Sequence, residues 1–390
     1  MTIAAPIALF AYVRIFMKRT NELPAHYLAA FSEQSGYLNF ASFGPPSRAV
    51  LAASAQLMDD AAEGAAGVSE RLHSEDGRAR ATVSRLTGFA TENIALLPAT
   101  SYGLFQLAFG VKGKVLVSAG EFPANTYPWL RAQEAGLNEV ALMGESLAFV
   151  TPELVAQSLT PSVTAVAVSA VDFQTGYRSD LAGIREVIGA DRLLLVDGIQ
   201  GFGAIDQDWS VADAVVTGSQ KWVRGGWGSG AMAFSAFGLE QIAPTLGGWT
   251  GVEHPSLYDG VAHAPRTDAG KFGISNLSPF AAGSFATALE LIEEAGLGAI
   301  ADRILATTAV LAEKLENSGV SVLSPREDGE RAGIVVAGFP EGNAAQAHAA
   351  LAGAGISATL HGAHRIRFSA HATTDHESLS HVALILASFA

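Results

Sequence analysis

Two stretches decide the fold: residues 193–204, LLLVDGIQGFGA, and residues 211–235, VADAVVTGSQKWVRGGWGSGAMAFS. Leu193–Val196 is apolar without interruption, as is Ala165–Val168 upstream. A strand with one wet face alternates; an unbroken apolar run fits a strand covered on both faces, as in a parallel sheet flanked by helices. Working outward, strand patterns fall at 93–97, 114–118, 138–142, 163–169, 192–196, 213–217, 230–235, 333–337 and 364–369. Helical patterns fall at 47–65, 101–109, 152–159, 181–188, 279–295, 298–317 and 343–353. The alternation predicts an α/β chain with right-handed crossovers, whose ligands bind beyond the carboxyl ends of the strands. Region 236–275 is rich in glycine and aromatic residues and has little periodicity. We therefore expect a large domain at 36–275, a smaller one at 276–390, and an N-terminal segment, 1–35, packed with the smaller.

The 390 residues suit two domains. Apolar residues make up 49% and charged residues 16%, as in a protein with a large core. Lys+Arg is 24 against Asp+Glu 38, a net charge of −14. Nucleic acid and anionic membranes need clustered positive charge, so neither is expected as the main partner. There is no cysteine, which excludes disulfides, thiolate metal sites and a cysteine nucleophile. No run reaches the 18 or so apolar residues of a membrane helix. The first 16 residues are apolar, but their first basic residue, Arg14, lies near the end of the run. A secretory signal places its charge first. The expectation is an N-terminal extension ahead of a start at Met17, in a cytoplasmic protein.

The chemistry lies after the strands. Asp197 ends one buried strand, and an acid there is costly unless it meets a cation. Lys221 follows the next strand through Thr217-Gly218-Ser219-Gln220, 24 residues further on, and enters a loop holding Gly225, Gly226, Gly228 and Gly230. Such a lysine can form a Schiff base with pyridoxal 5′-phosphate (PLP), and the aspartate can keep the pyridine nitrogen protonated. Thr100 and Ser101 open a helix after the strand ending at Leu97, a place for a phosphate or simply an N-cap. Phe122, Tyr127 and Trp129 follow the strand 114–118, within reach of a flat ring or of ordinary packing.

Together YLNFASFGPP (37–46), PATSYGL (98–104), GEFPANTYPWL (120–130), VDGIQGFGA (196–204), TGSQKWVRGGWGSG (217–230) and RIRFSAHATTDHESL (365–379) resemble the class V aminotransferase superfamily. These are PLP-dependent enzymes of fold type I, including the cysteine desulfurase and kynureninase group. The resemblance implies an α/β/α large domain around a mainly parallel seven-stranded sheet, with a smaller α+β C-terminal domain. It implies Lys221 as the aldimine lysine and proton shuttle, Asp197 as the pyridinium partner and Gln200 as the partner of the ring hydroxyl. Thr100, Ser101 and Ser219 match phosphate contacts. Gln220 stands where many members carry His. Phe122 matches the ring-stacking position, Asn125 lies nearby, and Asp172 matches a residue approaching the ring hydroxyl or substrate. Trp249, in GGWTGVEHP, and Asn276, in KFGISNLSPF, match segments lent by a neighbouring subunit, so a homodimer with shared sites is implied. Ser275-Asn276 replaces the usual Gly-Thr. Arg367 matches the residue binding the substrate carboxylate, and Arg365 lies two positions away on the same strand face.

The substrate implied is a small amino acid. Desulfuration through a cysteine persulfide is excluded, since the chain has no cysteine. A class V aminotransferase is the leading reading. A kynureninase-like hydrolase, a cysteine-independent C–S β-lyase of the ergothioneine-pathway type, an epimerase and a non-catalytic scaffold are the alternatives. Tyr102, Trp227, Trp249 and His254 are candidates for the side-chain pocket. Arg224 is a loop anchor or a substrate contact. His361, His364, His371, His376 and His381 lack metal-ligand spacing, so no metal is expected, and His371 is read as a surface residue. Glu293-Glu294 is read as a solvated helix face.

Overall fold

The computed structural model describes residues 23–340 and 342–390, so the expectation of a start at Met17 lies outside it. Strands β1 (Ile94–Leu97), β2 (Lys114–Ser118), β3 (Glu139–Met143), β4 (Val163–Ser169), β5 (Leu193–Asp197), β6 (Ala214–Gly218) and β7 (Gly230–Phe234) form one sheet. Its order is β1-β7-β6-β5-β4-β2-β3. Strands β2 to β6 pair in parallel, and β7 runs antiparallel to both its neighbours. The expected seven-stranded, mainly parallel sheet is therefore present.

The apolar runs explain the layering. Val166, Val168, Leu194 and Val196 enter one core; the alternate residues Ala165, Ala167, Leu193 and Leu195 enter the other. Successive side chains of a strand point to opposite faces, so both faces must be covered. In chain order the helices are α1 (Ala25–Ala29), α2 (Arg48–Glu63), α3 (Val68–Thr87), α4 (Thr100–Gly110), α5 (Tyr127–Glu134), α6 (Pro152–Ser158), α7 (Leu181–Ile188), α8 (Ala236–Gln241), α9 (Pro279–Ala295), α10 (Leu297–Asn317), α11 (Asn343–Gly353) and α12 (His376–Leu386). Helix α9 buries Ala282, Phe285, Ala286, Leu289 and Ile292 in the same core as Val166 and Val196.

A second sheet, β10-β11-β9-β8, is antiparallel: β8 (Ser321–Val322), β9 (Ile334–Gly338), β10 (Thr359–His361) and β11 (Arg365–Ser369). It packs its own core with α10, α11 and α12. The chain at 37–39 is stitched to it: Leu38 N–H donates to Ser357 C=O (3.1 Å) and Ser369 N–H to Leu38 C=O (2.8 Å). This brings YLNFASF beside β11.

Helix α3 was absent from the sequence reading. Its segment, VSERLHSEDGRARATVSRLT, is polar on most sides, and only Leu72, Ala79, Thr82, Val83 and Thr87 are buried. It is held to α9 by charge: Arg78 Nε donates to Glu290 (2.7 Å), and Arg85 binds Glu293 through two nitrogens (2.6 and 2.9 Å). Glu293 and Glu294 are both exposed, as a solvated helix face should be, and both carry partners there: Glu293 pairs with Arg85, and Glu294 lies 3.2 Å from His26.

Candidate active site

Lys221 and Asp197 leave adjacent strands, β6 and β5, at their carboxyl ends. Asp197 is 2% exposed and accepts the Ile199 N–H at 2.9 Å. Burial pushes its carboxyl up to about 6, against the lowering pull of that N–H and of Lys221. Burial likewise pulls the Lys221 amine down to about 8; Asp197 opposes this and Arg367 adds to it. Among the described residues the two form no direct ion pair, yet their charges act on each other. The Lys221 Nζ lies 5.6 Å from the centre of the Phe122 ring, which Phe173 meets edge-on at 5.1 Å.

A second group of residues forms a polar cradle. The side-chain oxygens of Thr100, Ser219 and Ser229 are buried with no hydrogen-bond partner. Burying hydroxyls unpaired is unfavourable, so such a set points to a missing acceptor. Helix α4 starts at Thr100 and no side chain caps it, leaving N–H groups for an anion. Across the sheet Leu97 aligns with Gly230, and Gly230 with Gly218, so the start of α4 meets two successive strands more than a hundred residues further on. A Cβ on Gly218 would lie 2.5 Å from Thr100 Oγ1 and 2.6 Å from Gln220 Oε1; there is no room for one. The unpaired hydroxyls and the glycine-lined approach fit the phosphate of PLP, and the Asp197 carboxylate fits its pyridine N–H.

The other expected residues are placed as follows. Gln200 Nε2 donates to Ala41 C=O (3.0 Å), and its Oε1 accepts from Trp222 Nε1 (2.9 Å), so one amide N–H remains for a ring oxygen. Asn125 is buried with its Oδ1 on Trp129 Nε1, and its side chain also acts on the Glu121 carboxyl. Ser101 is exposed on the first turn of α4. The Asp172 carboxylate accepts the N–H groups of Gln174 (2.5 Å) and Thr175 (2.8 Å), capping its own turn. Trp249 is half exposed and Asn276 exposed; Asn276 lines a cavity of about 580 Å³ with Tyr102, Gln106 and Thr250, which Lys221 does not reach. Neither is brought to Lys221 within one chain. Trp227 is exposed and stacks on Phe43 at 4.3 Å. His254 adopts φ 53° and lies 6.2 Å from the His263 ring.

Arg367 is 5% exposed and donates to Phe173 C=O (3.1 Å) and Ser42 Oγ (2.9 Å), with its Nε buried and unpartnered. Burial lowers its guanidinium to about 10. Arg224 is the loop anchor of the two roles left open. It donates to Pro45 C=O (2.7 Å), Thr373 Oγ1 (3.0 Å) and Glu33 (2.6 Å), and lies 3.5 Å from the Phe31 ring centre. Its φ of 62° is strained for a residue with a side chain, so these contacts are what hold the turn after Lys221. Burial acts to raise the Glu33 carboxyl, but the charge and hydrogen bond of Arg224 outweigh it and hold Glu33 below the ordinary value. Its stabilisation is present at neutral pH and lost as the pH falls through that lowered value. Replacing Glu33 by alanine leaves a buried cation unpaired and is expected to cost about 3–5 kcal/mol. Urea unfolding measures this; a loss under about 1 kcal/mol would show the pair to be dispensable.

Two residues were missed or misplaced by the sequence. Glu121, just before Phe122, accepts the Ser169 N–H at 2.7 Å and also binds the Ser169 hydroxyl. Removal from water, with Asp197 nearby, pushes its carboxyl up to about 7 against these hydrogen bonds. Ser169 is the register partner of Asp197, so Glu121 ties the Phe122 loop to that strand end. The signal lay in GEFPAN itself. His371, read as a surface residue, is fully buried, stacked on Phe40 (5.0 Å) and near Trp222 (6.3 Å). Burial and the Arg224 charge hold it neutral.

A strand-end lysine beside a buried carboxylate, with an uncapped helix and unpaired hydroxyls alongside, defines the site of a PLP-dependent α/β enzyme. The class V aminotransferase family matches residues 45–389, and the chain belongs to that family, whose cofactor is PLP. A kynureninase of Deinococcus radiodurans is 27% identical over 249 residues, covering 61% of this chain and 59% of that protein. A probable cysteine desulfurase of Aeropyrum pernix is 26% identical, covering 66% of each. The chain thus matches about three-fifths to two thirds of the length of these relatives. The fold is shared with the cystine C–S lyase C-DES, solved with its product cysteine persulfide: TM-score 0.83, 20% identity, 91% of this chain and 98% of that one.

Proposed function

We propose that the protein is a PLP-dependent aminotransferase acting on a small amino acid, working as a homodimer. The observation that carries this is the Lys221–Asp197 pair beside the unpaired Thr100 and Ser219 hydroxyls. When bound, PLP supplies an electron sink for a bond broken at the substrate Cα. Asp197 would hold the pyridine N–H, Phe122 would lie against the ring, and Thr100, Ser219 and the first N–H groups of α4 would take the phosphate. The Arg367 fork, with its free Nε, orients the substrate carboxylate, which sets Cα near Lys221. Lys221 Nζ, with a depressed affinity for protons, would take the proton from Cα and pass it on to the cofactor instead of putting it back, which is what distinguishes transamination from racemisation. Exposure of Trp249 and Asn276 supports a second copy covering that face.

The likeness to kynureninase and to a C–S lyase favours one second reading, a lyase or hydrolase that splits a β-substituent without a cysteine. The two readings part on one measurement. PLP-loaded protein is mixed with single amino acids and no keto acid. A transaminase releases one keto acid per site, stops, and restarts on addition of a second keto acid. Continuous release without an acceptor identifies the lyase or hydrolase and overturns the first reading.

A further inference from the structure

Two arginines stand on one face of β11. Arg365 and Arg367 are alternate residues of the strand, about 7 Å apart, while Ile366 between them turns into the core. Arg365 Nη2 donates a long bond to Gln174 Oε1 (3.4 Å), and its Nη1 is buried without a partner. Arg367 likewise keeps a buried, unpartnered Nε. Among the described residues neither guanidinium has a carboxylate in ion-pair contact, although the chain carries 38 acidic residues. Asp172, whose carboxyl feels the charge of Arg365 without making an ion-pair contact, spends its Oδ1 on its own turn. The side chain opposite Arg365 is His361, which burial and the two arginines drive down to about 4, so it is neutral and supplies no anion.

Two adjacent cations, each with a buried free N–H, ask for two anions. The carboxylate of an ordinary amino acid satisfies one. Both arginines bond to the same turn, Phe173-Gln174, and the Phe173 ring meets Phe122 and lies 5.8 Å from His361. Arg365 and Arg367 are therefore tied to the turn whose Phe173 ring lies against Phe122, the ring beside Lys221.

We propose that the site takes an amino acid with a second anionic group, an acidic side chain of one or two methylenes, which Arg365 reads while Arg367 holds the α-carboxylate. This rests on the placement of Arg367 at the substrate carboxylate. It narrows the small-amino-acid substrate to an acidic one.

Calorimetry on the PLP-loaded protein compares succinate with butyrate, which differ by one carboxylate and have no amino group to react. Succinate is expected to bind roughly 10–100-fold more tightly, the value of a charge-assisted contact. Arg365→Gln is expected to bring the two affinities close together, and Arg365→Lys to keep part of the difference. Turnover of aspartate or glutamate over asparagine or glutamine is expected to follow the same order. Equal affinities in the parent protein overturn the proposal, as does an Arg365→Gln variant that weakens both ligands equally, the mark of a structural role. If Arg365→Gln does not fold, the parent ratio and Arg365→Lys still decide. A protein that binds PLP and turns over only neutral amino acids loses this inference and keeps its enzyme assignment. One that prefers succinate but turns over nothing keeps this inference and loses the assignment.

Discussion

Replacing Lys221 by alanine is expected to abolish turnover, with a loss of at least about 10⁴-fold, since it removes both the covalent attachment and the group that moves the Cα proton. The visible absorption of the lysine-bound cofactor, which borohydride abolishes in the parent protein, should be missing. The amine is the reactive form, and burial lowers its affinity for protons to about 8. The rate at which cofactor-free protein captures PLP should therefore rise as the pH climbs through about 8, then level off. An ordinary exposed lysine would keep gaining to well above pH 10. Activity that survives Lys221→Ala would sink the assignment. A capture rate independent of pH would show that the amine is not buried as described.

The second large effect is expected at Asp197. An asparagine keeps the shape and loses the charge that holds a protonated pyridine nitrogen, so kcat/KM should fall about 10²–10³-fold. The same change should stabilise the protein before cofactor is added. The carboxyl is held at about 6 in the fold against 3.8 in its unperturbed state. The folded chain therefore keeps the proton longer than the unfolded one, and stability falls as pH rises from about 4 to 6. Above that window the buried charge costs on the order of 2–3 kcal/mol, which Asp197→Asn relieves. Cofactor-free Asp197→Asn melting below the parent at pH 8, or activity within tenfold of it, would refute this account. A residue that weakens the fold and serves the chemistry is a common trade at functional sites.

Much of this was legible because it is local. The unbroken apolar runs at 165–168 and 193–196 require a sheet covered on both faces, and the strand ends then show where Asp197 and Lys221 stand. Helix α3 was hidden because its polar sequence carries only a thin apolar stripe, and its partner is an ion-paired face of α9, some 200 residues away. Glu121 needed knowledge of Ser169, 48 residues on. His371 looked exposed because polar Thr373, Thr374 and Asp375 follow it; only the packing of Phe40 and Trp222 around it reveals a buried ring. Asp172 was matched to a residue approaching the ring hydroxyl or substrate, while its Oδ1 is engaged by its own turn, a local contact that the resemblance did not carry.

The reversed strand β7 has a consequence for the order of events in making this enzyme. Because β7 lies between β1 and β6, the cradle of Thr100, Ser219 and Gly230 exists only where chain segments more than a hundred residues apart have been laid side by side. Contacts so distant in sequence form slowly and late, after the entropy of closing long loops has been overcome. A half-assembled sheet has no cradle. A cofactor that needs this cradle would therefore recognise only the finished seven-stranded sheet, and every molecule it captured would be withdrawn from the unfolding equilibrium.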